Sequence, residues 1–303
     1  MNTPWTSPFD MTSCTLCPRR CGTDRRVKEG FCGIGLPPVV AKAFPHFWEE
    51  PCISGTRGSG TVFFTGCSLR CDFCQNRPIS REGRGWEMDA DRLARIFLHL
   101  AHKGVHNLNL VNPTHQAHAV CEALARCGDG LSVPVVWNSG GYDAPETIEV
   151  MAPHIDVWLP DLKFHDPALS GKLAAAPDYF DRATEAIRAM VRLAGPAAYD
   201  GEGLLVRGVL VRHLVLPGHT RDSIRILEWL AATFGNAVPV SLMGQYTPMP
   251  DAVAAPDRRL RRREYERVVE ALFRLGIEEG YVQELSAAGR ERIPDWDGEG
   301  LSD

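Results

Sequence analysis

From about residue 60 onward, the sequence alternates short apolar runs with longer segments of helical period. This alternation is typical of successive βα units, in which parallel strands form a sheet that helices cover. The predicted strands span residues 61–65, 107–111, 133–137, 155–159, 204–216 and 238–243. Periodicity alone allows either an open doubly wound sheet or a partial barrel. Both architectures place ligand-binding residues at the carboxyl ends of the strands.

Five segments between or after these strands carry apolar residues at the spacing of amphipathic helices. In the first segment, Leu93, Phe97 and Leu100 recur on one helical face. Gly104 then marks the end of the helix, as glycine commonly does. The predicted helices span residues 89–103, 115–126, 179–194, 221–233 and 258–275.

The composition is that of an ordinary globular protein with enough apolar material for a sizeable core. Of 303 residues, 44% are hydrophobic and 23% are charged, and the formal net charge of -5 gives no general attraction to nucleic acid or anionic membranes. No apolar run approaches the roughly 20 residues that span a bilayer. The first residues also lack the basic and apolar regions of a signal peptide. We therefore expect a cytoplasmic protein with neither nucleic-acid nor membrane partners.

Cysteine is the residue type whose placement is unusual, because seven of the ten cysteines fall into two tight groups. Thiols stay reduced in the cytoplasm, so grouped cysteines there more often bind metal or carry out redox chemistry than form disulfides. The other three, Cys52, Cys121 and Cys127, stand apart and are expected to be buried or surface residues without such a role.

The first group consists of Cys14, Cys17, Cys21 and Cys32. Four thiolates in so short a span can close a tetrahedral zinc site or hold an iron–sulfur cluster, and their spacing does not distinguish the two. Either metal would contribute folding free energy to a small module. The sequence therefore predicts a metal site of open identity here.

The chain is predicted to have three parts. Residues 1–54 contain the first cysteine group, several glycines and prolines, and one strand pair around residues 39–47. We expect them to form a small Cys-rich metal-binding module. Residues 55–280 contain the βα units and form the core, and residues 281–303 form a C-terminal tail.

The second cysteine group follows the first predicted core strand directly. Cys67, Cys71 and Cys74 form a Cys-x3-Cys-x2-Cys triplet that leaves the strand through Gly66. Three thiolates on one short loop can bind three irons of a [4Fe–4S] cluster and leave the fourth iron open. A structural site would normally supply four ligands. A zinc site with a distant fourth ligand and three unrelated buried thiols are the alternatives.

The triplet, with an aromatic residue before its last cysteine, strongly resembles the radical S-adenosylmethionine (SAM) superfamily. Other stretches resemble one branch of it, the pyruvate formate-lyase activating enzyme-like proteins of largely unassigned substrate. Those stretches are Glu49-Glu50-Pro51, Ser54-Gly55, Gly58-Ser59-Gly60-Thr61, Asn109-Leu110-Val111-Asn112-Pro113-Thr114-His115, Gly140-Gly141-Tyr142, Leu159-Pro160-Asp161-Leu162-Lys163, Arg212-His213-Leu214-Val215-Leu216-Pro217-Gly218 and Gln245-Tyr246. The resemblance covers roughly residues 14 to 250.

The resemblance implies a partial (β/α)6 barrel of the radical SAM type and one site-differentiated [4Fe–4S] cluster held by Cys67, Cys71 and Cys74. It implies an oxidoreductase that cleaves SAM reductively to a 5′-deoxyadenosyl radical, which abstracts hydrogen from a substrate. That substrate would be a glycyl radical enzyme, or alternatively a small molecule or a peptide. A flavodoxin or ferredoxin would supply the electron.

Within this resemblance, polar residues at the strand ends are expected to bind SAM. The lysine at position 163 suits the SAM carboxylate, and the aspartate at 161 suits its ribose hydroxyl or amino groups. The second strand departs from the usual Gly-Gly-Glu-like turn, which leaves the SAM amino group to other residues. The expected SAM-binding residues are Asn112, Thr114, His115, Asn138, Ser139, Asp161, Lys163 and Arg212.

A hypothesis of another class is a non-catalytic iron–sulfur or zinc protein that uses both cysteine groups for electron transfer or binding. Such a protein would not cleave SAM. Formation of 5′-deoxyadenosine therefore distinguishes the two hypotheses.

Overall fold

The computed structural model describes residues 6–287, 289 and 294–301. The strands of this part of the chain are β1 (Val39–His46), β2 (Ser59–Phe64), β3 (Trp86–Glu87), β4 (Leu108–Val111), β5 (Val135–Ser139), β6 (Val157–Pro160), β7 (Ala198–Tyr199), β8 (Leu205–Val209), β9 (Val211–Leu214), β10 (Val240–Met243) and β11 (Gly280–Val282). The α-helices are α1 (Pro51–Ser54), α2 (Arg77–Ser80), α3 (Ala90–His102), α4 (Ala117–Cys127), α5 (Pro145–Met151), α6 (Pro167–Ala174), α7 (Tyr179–Ala194), α8 (Thr220–Phe234) and α9 (Arg262–Arg274).

The strands of the described residues form two sheets that meet at β6. The larger sheet has the order β3-β1-β2-β4-β5-β6-β8-β7 and the smaller one β11-β10-β9. Strands β2, β4, β5, β6 and β8 are parallel neighbours, as are β9, β10 and β11. A bridge between Asp161 and Arg212 joins the sheets just beyond β6. The α/β fold is therefore a partial barrel of mostly parallel strands, as predicted.

The predicted strand 204–216 is in fact two strands, because the chain changes partner in its middle. The Leu210 N–H donates to the Trp158 carbonyl in β6 at 2.9 Å, whereas the Val211 N–H donates to the Pro239 carbonyl next to β10 at 3.0 Å. Consequently β8 pairs with β6, and β9 pairs with β10. This switch bends the strand series into a barrel.

The prediction of a strand pair around residues 39–47 was wrong, because this segment is the single strand β1. It runs antiparallel to β2 along most of its length and to β3 at Val39 and Val40. Its outer side is also met by the chain near the C-terminus, where the Ala43 N–H donates to the Glu299 carbonyl. The segment thus extends the main sheet at its β2 edge.

The observed helices agree with the predicted ones where the apolar periodicity of the sequence is strong. Helix α7 has the predicted bounds, and α3 begins after Asp89, whose side chain accepts from the Arg92 N–H as an N-cap. Helix α9 begins later than predicted, at a capping box that Glu264 completes. The predicted helix 115–126 starts with a 3-10 turn, Thr114–Gln116. None of the described helices is both long and apolar enough to cross a membrane.

The core lies between the strands and the helices that cover them. All residues of β2 and β5 are buried, as expected for parallel strands covered on both faces. The large side chains Trp137, Trp158 and Phe97 are almost completely buried. The rigid core therefore fixes the carboxyl ends of the strands, where polar residues gather.

Candidate active site

The cysteine triplet lies on the loop that leaves the carboxyl end of β2. Gly66 begins this loop with φ +82°, and a Cβ there would lie 2.5 Å from Ile34 Cγ1 and 2.7 Å from the Cys32 carbonyl oxygen. Only glycine therefore lets the chain turn here against the N-terminal segment. The triplet cysteines that follow are all half-buried.

The donor set of the triplet fits a metal cluster better than free-thiol chemistry. Burial raises the pKa of the Cys71 thiol to about 12, although the charge of Lys163 acts in the opposite direction. Burial also raises the pKa of Cys67. A reactive free cysteine needs a lowered pKa, whereas a bound metal deprotonates its coordinating thiols outright. The three thiols would thus become thiolates by ligating iron.

The three cysteines face a cavity of about 300 Å³ at the carboxyl ends of the parallel strands. Its apolar lining includes Leu69, Phe73 and Met243. Its polar lining comes from strand ends that are far apart in sequence. Among the lining polar residues are Glu49, Asn112, Asn138, Ser139, Asp161, Lys163, Arg212 and Gln245.

Arg212 stands at the centre of a charge network in this cavity. Its guanidinium donates from Nε to Asp161 Oδ1 at 2.9 Å and from Nη1 to Glu49 Oε2 at 3.0 Å. Nη2 donates to Asn138 Oδ1 at 2.5 Å. Lys163 pairs with the other oxygen of Asp161. The network thus fixes the orientation of five side chains that line the cavity.

The protonation of this network follows from its charges. Burial opposes the ionisation of Asp161, but Arg212 and Lys163 outweigh it and hold the pKa of this carboxyl below its usual range. Burial raises the pKa of Glu50, whose Oε2 has no hydrogen-bond partner in the described part of the chain. The Asp161 carboxylate pairs with both Arg212 and Lys163, and the Glu49 carboxylate pairs with Arg212. The cavity can therefore meet a zwitterionic ligand with both signs of charge.

Asn112 connects the end of β4 to the cysteine loop. It adopts a left-handed conformation with φ +59°, which asparagine tolerates better than most residues. Its Nδ2 donates to the Gly66 carbonyl at 2.7 Å, and its Oδ1 lies 3.5 Å from Cys67 Sγ. Its amide therefore holds the loop as well as lining the cavity.

Thr114 and His115 lie behind the cavity wall, in the 3-10 turn that follows β4. Thr114 Oγ1 donates to Asp143 Oδ1 at 2.6 Å, and His115 Nε2 lies 2.7 Å from the Thr65 carbonyl oxygen. Burial lowers the pKa of His115 to about 3, so it is neutral. The structure thus brings six of the expected SAM-binding residues together and places these two in the supporting core.

Sequence reasoning missed Asp143, which organises this supporting core. The Asp143 carboxylate is fully buried and accepts from Thr114, from Ser139 Oγ at 2.5 Å and from Trp137 Nε1 at 3.1 Å. Burial raises its pKa. The hydroxyl of Ser139 is therefore engaged with Asp143, although the residue lines the cavity.

We expect the substitution Thr114→Val to lower the free energy of unfolding by about 1–3 kcal/mol, since it removes one donor from a buried carboxylate. The affinity for SAM should stay within about twofold, because Thr114 lies outside the cavity lining. Denaturant unfolding and SAM titration measure the two effects. Thr56→Val, at an exposed position, is the matched control and should change stability by less than about 0.5 kcal/mol. A large loss of SAM affinity with normal stability would contradict this assignment.

Glu49 and Glu50 were also missed as site residues. They immediately precede α1, where Pro51 begins the helix. The only sequence signal that pointed to them was their place in a stretch that resembles the activating enzyme-like proteins. Glu49 Oε1 accepts from Asn109 and Asn138, each at 3.2 Å. Glu49 thus lines the cavity from the segment between β1 and β2, and Glu50 lies behind it, 4.0 Å from Arg212 Nη1.

The first cysteine group lies beside the triplet loop. Cys14, Cys17 and Cys32 are buried, whereas Cys21 is exposed. In residues 6–287, 289 and 294–301, no three His, Cys, Asp or Glu side chains are arranged to hold a single metal ion. A [4Fe–4S] cluster makes a different demand, because each of its thiolates binds a different iron.

Comparison with known proteins gives matches to both sequence and fold. Residues 61–230 match the radical SAM superfamily domain. The chain is 30% identical over 270 residues to the uncharacterized protein MJ0674 of Methanocaldococcus jannaschii. The matched region covers 85% of this chain and 73% of that protein. SuiB of Streptococcus suis, bound to the precursor peptide SuiA, has a TM-score of 0.53 at 14% identity over 72% of this chain and 46% of SuiB.

The FeFe-hydrogenase maturase HydG of Carboxydothermus hydrogenoformans has a TM-score of 0.53 at 12% identity, over 77% of this chain and 56% of HydG. The chain thus spans about half the length of these two solved proteins. At such low identity, both comparisons concern the fold alone.

The fold and site define an α/β partial barrel with three thiols at the carboxyl end of its first parallel strand. The domain match extends over more than half of the chain, and the protein belongs to the radical SAM superfamily. Membership implies a [4Fe–4S] cluster and SAM and supports SAM-cleaving oxidoreductase chemistry.

Proposed function

We propose that the protein cleaves SAM reductively and uses the resulting 5′-deoxyadenosyl radical to abstract hydrogen from a protein substrate, as the activating enzymes of glycyl radical enzymes do. The observation that carries the proposal is the cavity in which the three cysteines of one loop face charged residues from several strand ends. A cluster held there would supply the electron that breaks a C–S bond of SAM, and the protein would supply position and shielding.

The residues of this chain would divide the work as follows. Cys67, Cys71 and Cys74 hold the cluster, and Lys163 meets the SAM carboxylate. Asp161 accepts hydrogen bonds from SAM and is held in orientation by Arg212.

The apolar side chains of Leu69 and Phe73 line the cavity and would help to exclude water once a ligand is bound. Exclusion matters because a carbon radical formed there must meet the substrate before it meets anything else.

A protein substrate is favoured by the aromatic residues at the mouth of the cavity. Trp48 lines the cavity and is 61% exposed, and the adjacent Phe47 is 52% exposed. Large exposed aromatic side chains next to a site are typical of surfaces that bind a macromolecule. A peptide is the second candidate substrate, because the fold is shared with SuiB, whose solved structure holds a precursor peptide. A flavodoxin or ferredoxin is proposed as the reductant.

The test is anaerobic reconstitution with iron and sulfide, followed by dithionite and SAM. We expect 5′-deoxyadenosine and methionine to form in equal amounts, and a glycyl radical signal to appear by electron paramagnetic resonance when a glycyl radical enzyme is added. A correctly assembled cluster that yields no 5′-deoxyadenosine would overturn the proposal and favour a non-catalytic metal protein. Product without a glycyl radical would overturn the activase role alone.

A further inference from the structure

The N-terminal cysteine segment packs directly on the catalytic cysteine loop. The Cys67 N–H donates to the Cys32 carbonyl oxygen at 3.3 Å. Arg70 donates to the carbonyl oxygens of Phe31 and Cys67, and Arg19 donates to that of Ser68 at 2.8 Å. One cysteine of the first group is therefore linked to one cysteine of the triplet by a single hydrogen bond.

Two thiols of the first group, Cys21 and Cys32, border a small space beside Gly30. A Cβ at Gly30 would lie 3.4 Å from Cys21 Sγ and 3.5 Å from Cys32 Sγ, so a side chain there would enter that space. The other two thiols of the group interact electrostatically with them. Cys14 Sγ accepts from the Arg25 guanidinium at 3.5 Å. The group has one exposed member, Cys21, and its member nearest the triplet loop is Cys32.

Arg25 indicates that this space carries negative charge. Its side chain is 2% exposed, and in the described part of the chain it forms no ion pair with a carboxylate. Its acceptors are Cys14 Sγ and the carbonyl oxygens of Gly35 and His115. A buried guanidinium without a counter-charge is strongly unfavourable. Metal-bound thiolates would supply that charge, whereas neutral thiols would not.

We propose that Cys14, Cys17, Cys21 and Cys32 hold a second [4Fe–4S] cluster, which passes electrons to the SAM-cleaving cluster through the Cys32 carbonyl and the Cys67 N–H. The proposal rests on the proposed function of the triplet. A low-potential one-electron donor protein reduces the second cluster by one electron on its Cys21 side. The second cluster is then reoxidised as the SAM-cleaving cluster is reduced by that same electron, so the electrons balance.

The position of the group favours a cluster over zinc. Zinc has no redox chemistry, and it would hold the segment in place without any need for contact between the two sets of ligands. The group lies instead between the surface, at Cys21, and the catalytic loop, at Cys67. A short path of covalent bonds and one hydrogen bond leads from Cys32 to Cys67.

Metal analysis of the reconstituted wild-type protein is the first test and needs no substitution. We expect about eight irons per chain and no zinc, since each [4Fe–4S] cluster contributes four. On reduction, paramagnetic resonance should show two interacting clusters, of which SAM perturbs one. About four irons with one zinc, or about four irons alone, would overturn the proposal.

Cys17→Ala is the second test, with Cys127→Ala on α4 as the matched control. The Cys17 variant should retain about four irons and cleave SAM at near the wild-type rate with dithionite, a small reductant that can reach the catalytic cluster directly. With a reduced ferredoxin or flavodoxin as the reductant, its rate of SAM cleavage should fall more than about tenfold, as expected when a supporting group at a metal site is removed. Equal rates with both reductants would overturn the relay. Failure of the wild-type protein to cleave SAM with dithionite would instead contradict the proposed function.

Discussion

Replacing Cys71 with alanine is expected to abolish 5′-deoxyadenosine formation, with a loss well beyond the roughly 10–100-fold that follows removal of a supporting group at a metal site. Cys71 is the middle member of the triplet, and its thiol interacts electrostatically with Cys67, Cys74 and Lys163. Without it, two thiolates on this loop cannot hold a cluster and leave one iron open for SAM. Product analysis by chromatography after anaerobic reconstitution measures the effect.

The control for this variant is Cys127→Ala, which removes a buried thiol from α4 that hydrogen-bonds only to the Ala94 carbonyl among the described residues. It should keep its iron and its activity. The iron content of the Cys71 variant should fall, together with the charge-transfer absorption of the cluster. Comparable product formation by the Cys71 variant and the wild-type protein would show that the triplet does not hold the catalytic cluster.

Replacing Arg212 with alanine is expected to lower the free energy of unfolding by about 3–5 kcal/mol, the cost typical of breaking a buried ion pair. The substitution leaves Glu49 and Glu50 without their cation and removes one of the two cations at Asp161. Denaturant unfolding at neutral pH measures this effect. Arg192→Ala is the control, because Arg192 pairs with Glu149 at the surface. The Arg192 substitution should lower the free energy of unfolding by less than about 0.5 kcal/mol.

The difference in free energy of unfolding between the wild-type protein and the Arg212 variant should depend on pH if its origin is electrostatic. In the wild-type protein the pKa of Asp161 is lowered, so its contribution to stability is complete above the unfolded value of 3.8 and is lost as pH falls through the folded value. In the Arg212 variant Asp161 loses one of its two cations, so the pKa of this buried carboxyl should rise and its protonation should remove the uncompensated charge. The stability gap should therefore narrow as the pH falls from neutrality toward the unfolded value of 3.8. A constant gap would point to lost packing instead.

The cysteine triplet could be predicted from sequence because its information is local. Three thiols on one loop after a strand indicate a cluster with one open iron, and the resemblance to the radical SAM superfamily favoured this reading over a zinc site or three unrelated thiols. The polar residues Asn138, Asp161 and Lys163 could also be predicted as neighbours, because parallel strands end at one edge of the sheet. Their individual contacts with a ligand remain predictions.

The remaining features depended on tertiary contacts that no local pattern contains. Glu49 reaches the cavity from a segment that precedes the first core strand. Thr114 follows its strand as expected, but the 3-10 turn directs it toward Asp143. The change of partner at Leu210 leaves the apolar pattern of the strand intact, since both halves contribute buried apolar residues to the core. Apolar periodicity reports burial and does not report which strand is the neighbour.

The bridge between the two sheets at Arg212 has a consequence for the order of folding and iron loading. The Arg212–Glu49 ion pair joins residues 163 positions apart, so it forms only after nearly the whole barrel has closed. The cysteine loop depends on distant partners as well, because the Arg70 N–H donates to the Ala174 carbonyl at 3.0 Å and the Asp72 N–H donates to the Leu173 carbonyl at 2.8 Å. Iron loading and the charged pocket that receives the cosubstrate would therefore both depend on late folding steps.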